Sequence, residues 1–304
     1  MAEKERVIAL GFFDGVHIGH SALMRRTLSI GQDKGLVPSV ITFDAHPLTL
    51  VSGASVQLIN SPEDRTGLIH RLFGIDDIIF LHFDKQTLRM PWDVFIDHLY
   101  DEFSARHLVA GHDFRFGSGG LGNAERLKEK CGEYGIGCDI IPEVKFDGVI
   151  SSSTYIRELI SKGDMERANV FLGHPHVLTD VVRYGYRLGR TLGTPTINMC
   201  FPESVLIPAF GVYATKVYTG DDEEYTGVTN VGVRPTVDNG GDQITAETHI
   251  LNYHGNLYGR KVRIEFYSRL RPEIKFDDVD ELKAQIQRDC ASTLEYFNRI
   301  LIVS

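Results

Sequence analysis

Ten residues near the start of the chain, G-F-F-D-G-V-H-I-G-H at positions 11–20, constrain its fold more than any other stretch. The apolar run Val7-Ile8-Ala9-Leu10 precedes them and has the character of a buried parallel strand. After them, Leu23, Thr27 and Ile30 recur at helical spacing, and Gly31 and Gly35 supply stop signals. The stretch is therefore a strand-to-helix turn, with Gly11, Gly15 and Gly19 where a backbone bends tightly or admits a ligand. A helix N-terminus presents unpaired N–H groups and the positive end of the helix dipole, which suits a phosphate. His17 and His20 add two donors for the same anion, and Gly19 between them leaves room for a nucleotide. A plainer reading fits the same residues. Glycine turns are common, and two histidines three apart are often surface residues or half a metal site.

Strands and helices alternate through the first half. Residues 37–43 read as a strand, 62–73 as a helix with Leu68, Ile69 and Leu72 on one face, and 77–83 as a strand. Ile78-Ile79-Phe80-Leu81 in the last of these is too apolar for an exposed sheet edge. A helix over 92–103, a strand over 107–110, a helix over 123–134 and a strand over 138–141 continue the series. The pattern predicts a mostly parallel sheet with helices on both faces.

Ligands of such sheets sit beyond the carboxyl ends of the strands. Three polar stretches fall there: 11–20, Asp44-Ala45-His46-Pro47, and G-H-D-F-R-F-G-S-G-G at 111–120. In the third, Asp113 and Arg115 alternate with Phe114 and Phe116, so a flat ring can stack while polar partners fix it. A glycine-rich hairpin with core phenylalanines fits equally well. Ser151-Ser152-Ser153-Thr154 then enters a helix, either as a capping run or as a cradle for triphosphate oxygens with Arg157 one turn in. A helix over 165–172 closes this half.

At 304 residues the chain has room for two domains, expected at 1–173 and 177–304 with Gly173-His174-Pro175-His176 as the linker. A net charge of −9 argues against a nucleic-acid partner, which calls for a basic face. The charged N-terminus carries no signal peptide, no stretch is a membrane span, and no membrane partner is expected. Cys131, Cys138, Cys200 and Cys290 fall in no metal-like spacing and read as isolated thiols of a reducing compartment, so a cytoplasmic location is expected. Nothing in the sequence sets the oligomeric state.

Beyond residue 176 the period changes. Short alternating runs at 179–184, 211–218, 224–231, 244–251 and 261–267, with turn residues between several of them, indicate an antiparallel barrel or sandwich. One long helix over 278–300 follows, with Leu282, Ile286, Leu294 and Phe297 suited to packing on it. Glycines 185, 189 and 193 can wrap phosphates, although no Walker loop is present. In Pro195-Thr196-Ile197-Asn198 a hydroxyl and an amide share one face if the segment is extended, and such oxygen donors suit Mg²⁺ shared with substrate phosphates. Thr229-Asn230-Val231-Gly232-Val233-Arg234-Pro235-Thr236 reads as a strand end and turn. Glu247, in Ala246-Glu247-Thr248-His249-Ile250-Leu251, is on its residues alone better read as a solvent-facing carboxylate than as a buried base.

These motifs, in this order, closely resemble those of the bacterial bifunctional riboflavin kinase/FMN adenylyltransferase family. The resemblance covers nearly the whole chain: the H-x-G-H turn, D-F-R-F-G, S-S-T-x-I-R, P-T-x-N and the E-T-H-I-L strand. It implies a Rossmann-like α/β nucleotidyltransferase domain followed by a riboflavin kinase-like antiparallel β-barrel with its C-terminal helix. The C-terminal half would convert riboflavin and ATP to FMN, with Glu247 as base and Mg²⁺ on Thr196 and Asn198. The N-terminal half would join FMN and a second ATP into FAD and pyrophosphate, with His17, His20 and Arg157 as the stabilising donors. Gly11, Phe12, Phe13, Asp14, Asp44, Asp113, Arg115, Ser152, Ser153 and Thr154 would line the first nucleotide site, and Gly185, Gly189, Arg190, Gly193 and Pro195 the second. Phe12, where the family often has a small polar residue, and Ala45, in place of the usual proline, depart from the pattern near the first pocket. Two alternatives stand beside this reading: a riboflavin kinase with a weakened first domain, and a flavin-binding regulator that turns nothing over.

Overall fold

The apolar runs of the first half line up as one parallel sheet in a computed structural model that describes residues 4–45, 49, 56–82, 84–184, 194–220, 223–235 and 242–303. The chain divides into two compact units, Met1–Ser153 and Thr154–Ser304. In the first, β1 (Arg6–Leu10), β2 (Val37–Phe43), β3 (Asp77–Leu81), β4 (Ala105–Gly111) and β5 (Gly137–Ile141) lie in the order β3-β2-β1-β4-β5, every neighbouring pair parallel. Helices α1 (Ile18–Lys34), α2 (Pro62–Phe73), α3 (Lys85–Arg89), α4 (Trp92–Asp101) and α5 (Ala124–Glu133) connect them. The centre of β1 is wholly inaccessible, as its unbroken apolar run requires in a sheet covered on both faces. The order in which strands are added reverses between β1 and β4, the place where open α/β sheets bind their ligands.

Local signals explain the helix ends. Ser61 caps α2 by accepting from the Asp64 N–H, and Asn123 caps α5 through the Arg126 N–H. α1 stops at Gly35, which takes the left-handed conformation. Gly31, read as a second stop, lies inside the helix instead. A Cβ there would meet the Pro38 ring at 2.7 Å, so its role is close packing. Leu72 is 44% exposed rather than on the packed face; the buried side of α2 consists of Asp64, Arg65, Leu68 and Ile69. β3 is the sheet edge after all, half-buried along its length. The short hairpin β6 (Lys145–Phe146) and β7 (Val149–Ile150) was not visible in the apolar pattern.

The second unit opens with α6 (Ser153–Lys162), whose first residue ends the first unit, and α7 (Met165–Leu172). Its sheet comprises β8 (His176–Val181), β9 (Thr196–Cys200), β10 (Gly211–Thr219), β11 (Glu223–Pro235), β12 (Asp242–Ile250) and β13 (Lys261–Arg271), in the order β8-β13-β10-β11-β12-β9 and antiparallel throughout. The sheet curls until its edges meet: the Arg183 N–H donates to the Asn198 carbonyl at 2.9 Å, and the Cys200 N–H to Asp180 Oδ2 at 2.8 Å. The stretch expected as a linker lies inside this unit. Asn169 of α7 accepts from the His176 N–H and donates to the Phe266 carbonyl, and His176 is fully buried.

α8 (Val279–Val303) packs on the barrel through Phe297. Leu294 is 47% exposed, because the buried stripe passes through Asp289, Thr293 and Phe297 and leaves the position after Thr293 outside it. All four cysteines are free thiols. Among the described residues no helix is long and apolar enough to cross a membrane.

Candidate active sites

The turn after β1 is built from unusual backbone. Phe13, Gly15 and Val16 all have positive φ, at 55°, 82° and 45°. For a β-branched residue such as Val16 this conformation is strained by about 1–3 kcal/mol, and the buried Phe13 and Val16 side chains hold it in place. Asp14 is buried, and its Oδ1 accepts from the Ile59 and Asn60 N–H groups at 2.9 and 3.3 Å. Its carbonyl accepts from Ser153 Oγ at 2.9 Å. Asp14 and Ser153, both expected at the nucleotide, thus also tie the turn to its neighbours.

His17 is the N-cap of α1. Its Nδ1 accepts from the Gly19 N–H at 3.1 Å and the His20 N–H at 3.4 Å. A backbone N–H can only donate, so Nδ1 carries no proton and the ring is the neutral tautomer with its N–H at Nε2. Gly19 is required by this cap, since a Cβ there would meet His17 Cε1 at 2.9 Å. The H-x-G-H spacing therefore lets the first imidazole fold back over the helix end. The His20 ring stacks on His17 with centroids 3.6 Å apart and stands edge-on to Phe13. Burial, then the neighbouring His17 and Arg65, push the His20 imidazole well below its ordinary range, so it too is neutral.

Other expected residues of the first site follow the carboxyl ends of β2 and β4 or lie near the start of α6. Asp44 follows β2 and pairs with His82 Nδ1 at 2.5 Å. Asp113 and Arg115 are exposed after β4, whereas Phe116 is core and Phe114 packs beside it, so the plainer reading holds for the phenylalanines. Ser152 is half-buried, Thr154 exposed, and Arg157 half-buried one turn into α6. Sequence reasoning passed over Arg65, whose Nη1 donates to Thr42 Oγ1 and the Phe43 carbonyl, because it sits in a helical face with no motif around it. His46 and Pro47 lie outside the described residues.

The second site is a matter of register. Asn198 of β9 pairs with Glu247 of β12, and Glu247 pairs with Asn230 of β11. Directly opposed residues point to the same face, so the three polar side chains form one row across three strands. Thr196 opposite His249 and Val228 forms the next row. His249 Nδ1 donates to the Pro195 carbonyl at 2.9 Å and fixes the segment carrying Thr196. On the opposite face, the hydroxyls of Thr215, Thr229 and Thr248 form a buried chain with both steps 2.8 Å.

Glu247 is half-buried and lines a cavity of about 240 Å³, so the solvent-facing reading does not hold. Thr194, Thr196, Asn230, Glu247 and His249 form its polar wall; Ile274, Phe276, Leu282 and Ile286 form an apolar wall suited to a flat ring system. Arg271 closes one side, donating to both carboxylate oxygens of the buried Asp289, with Nη2–Oδ2 at 2.7 Å. Asn230 Nδ2 donates to Glu273 Oε1 at 3.1 Å. Gly232 makes room for that carboxylate, since a Cβ there would meet it at 1.9 Å. Glu273 and Asp289 carry no motif of their own, and only the folded sheet and α8 bring them, with Arg271, to Glu247. Gly185, Gly189, Arg190 and Gly193 lie outside the described residues.

Both halves match known families. Residues 1–155 match the FAD synthetase model and residues 172–297 the riboflavin kinase model. The bifunctional riboflavin kinase/FMN adenylyltransferase of Bacillus subtilis is 33% identical over 98% of this chain and 94% of its own length. This chain belongs to that family. The enzyme of the same name from Escherichia coli is 35% identical over 96% of this chain and 92% of its own. A crystal structure from Streptococcus pneumoniae, titled as a macrolide-efflux protein, is 29% identical and covers 96% of this chain and 95% of its own, with a TM-score of 0.83.

Proposed function

We propose that this chain makes FAD from riboflavin in two ATP-dependent steps, one in each unit. The observation that carries the reading is the Asn198–Glu247–Asn230 row, set with Thr196 against an apolar wall. Riboflavin has the matching parts: a flat ring for Ile274, Phe276 and Ile286, and a terminal hydroxyl for Glu247. Glu247 takes the proton of the 5′-hydroxyl as its oxygen attacks the γ-phosphorus of ATP; FMN forms and ADP leaves. Thr196 and Asn198 offer a hydroxyl and an amide oxygen two residues apart on one strand, a hard-donor pair that fits Mg²⁺ beside the phosphates. A cation held there would offset the charge that develops on the transferred phosphoryl group.

In the first unit, the FMN phosphate attacks the α-phosphorus of a second ATP; FAD forms and pyrophosphate leaves. The attacking oxygen is already ionised, so the residues there need only position and neutralise. His17 Nε2–H and His20 supply uncharged N–H donors, and Arg157 supplies a full positive charge. Ser152, Thr154, Asp44, Asp113 and Arg115 at the first nucleotide are part of this proposal, as are functional domains of residues 1–173 and 177–304, whose limits differ from those of the two compact units. So is a cytoplasmic location, which four free thiols suit.

Incubation of the full chain with riboflavin, ATP and Mg²⁺, followed by separation of the flavins, tests the reading. FAD is the expected product. FMN alone would mean a kinase with an inactive first unit, and unchanged riboflavin would mean a flavin-binding protein.

A further inference from the structure

The row that joins Asn198, Glu247 and Asn230 continues across the sheet, from Asn230 to Val212 of β10 and from Val212 to Arg271 of β13. Val212, Asn230, Glu247 and Arg271 line one cavity, so these four side chains share a face. Three strand spacings of about 4.8 Å separate Arg271 from Glu247, or roughly 14 Å along the sheet. Arg271 therefore stands at the end of the row away from the oxygen donors of β9.

Its guanidinium is held in one orientation. Nε donates to Asp289 Oδ1 at 2.9 Å, Nη2 to Asp289 Oδ2 at 2.7 Å, and Nη1 to the Pro272 carbonyl at 3.0 Å. Asp289 is buried, and its Oδ1 also accepts from Gln285 Nε2 at 2.8 Å, so α8 fixes the carboxylate in turn. The guanidinium carbon lies 5.9 Å from the centre of the Phe276 ring, part of the apolar wall.

A guanidinium carries five N–H groups. Three are used here, and the other two, one on each terminal nitrogen, have no acceptor among the described residues. A clamp between β13 and α8 needs only Nε and Nη2. What is left over is a rigid pair of donors at the cavity wall. Charge narrows what the pair can hold. Asp289 already balances the guanidinium, and Glu247 and Glu273 line the same cavity, so a neutral acceptor fits better than an anion. Distance rules out the transferred phosphoryl group, which belongs at Glu247.

We propose that Arg271 is a specificity-determining residue for the kinase reaction: its two spare N–H groups hydrogen-bond the acceptor edge of the flavin ring, where a ring nitrogen lies beside a carbonyl oxygen. With the 5′-hydroxyl at Glu247, the ribityl chain and the ring together span the row and bring that edge to Phe276 and Arg271. Asp289 and Gln285 orient the donors before the substrate arrives. The inference rests on the reading of this cavity as the riboflavin site.

The test uses the full-length protein with riboflavin and two isosteres, 1-deazariboflavin and 5-deazariboflavin, in each of which C–H replaces one ring-nitrogen acceptor. Phosphorylation is followed by ADP release. Wild-type kcat/KM for one of the isosteres should fall at least ~10-fold below that for riboflavin, the loss expected when a charged donor is left without its acceptor. Arg271→Leu combined with Asp289→Leu removes the donors without stranding a buried carboxylate. In that variant KM for riboflavin should rise at least ~10-fold, KM for ATP should hold, and the three flavins should agree within ~2-fold. Arg271→Lys keeps a cation beside Asp289 without the planar fork, and should narrow the preference to ~3-fold or less. Thermal melts and FAD formation from supplied FMN report folding. Equal kcat/KM for all three flavins in wild type overturns the proposal, and needs no variant to fold. A wild-type preference that persists in either folded variant overturns it as well, because Arg271 would then be only a clamp for α8. Failure of the riboflavin-site reading is distinct: wild type would phosphorylate none of the three.

Discussion

The two sites are assembled by opposite means. In the first, Asp14, His17 and His20 lie within one turn, and the turn is held by its own backbone: three positive φ angles, a helix cap and two accepted N–H groups. In the second, Asn198, Asn230 and Glu247 come from three strands and meet only because the pairing has one particular register. A local site of the first kind depends on glycine and cap chemistry at fixed spacing. A site of the second kind depends on the whole sheet, since a slip of one residue would turn Glu247 to the face of the threonine chain. The chemistry follows the construction. Fixed neutral imidazoles suit hydrogen bonding to developing phosphate charge, and a carboxylate in a half-apolar cavity suits proton removal.

The contrast breaks most sharply at Glu247. Glu247→Gln keeps the size and the hydrogen bond to the hydroxyl but cannot take its proton. Riboflavin phosphorylation should fall by about 10²–10⁴-fold, with FAD formation from supplied FMN unaffected. A single-turnover kinase rate within about threefold of wild type would remove Glu247 from the mechanism.

Next in size is the histidine pair. His20→Ala and His17→Ala should each lower FAD formation by ~10²-fold or more while the kinase holds its rate. They should differ in stability, because only His17 caps α1, and losing a cap costs about 0.5–2 kcal/mol. His17→Asn should recover the cap and not the rate, as read by thermal melts alongside the transferase assay. Recovery of both would reduce His17 to a structural residue.

The register-built site should also depend on α7. A fragment from Asp164 to Ser304 keeps Asn169 and the buried Phe171 and Leu172 against the barrel; one from His176 does not. Each fully buried apolar side chain contributes about 1.5–3 kcal/mol, so the longer fragment should melt higher and phosphorylate riboflavin alone. Equal melting points would show that α7 is dispensable to the kinase fold.

The smallest effect belongs to Asp44 and His82. Asp44 raises the His82 imidazole above 6.5. The pair therefore stabilises the fold fully below 6.5 and is lost as pH rises through the raised value. His82→Gln should lower the melting point slightly at about pH 6 and not at about pH 9, and the difference should shrink in high salt because the pair is exposed. A difference that grows with pH would reverse the assignment.

Where the determinants were local, the sequence by itself was enough. The limits of β2, α2 and α7 follow from caps, glycines and apolar period, and residues 11–20 were legible as a strand-to-helix turn, with a phosphate site as one of two readings. The sites' chemistry was half written there: P-T-x-N and Glu247 were visible as an oxygen pair and a carboxylate, and only the family resemblance related them. Tertiary structure decided the rest. It set Glu247 opposite Asn198 and Asn230, and it brought Arg271, Asp289 and the apolar side of α8 to the same cavity. It also put a charge at Arg65, where helical periodicity calls only for burial. The physical reason is range. Caps and turns are settled by hydrogen bonds within a few residues, whereas the cost of burying a carboxylate or guanidinium depends on partners far along the chain, which no local pattern records.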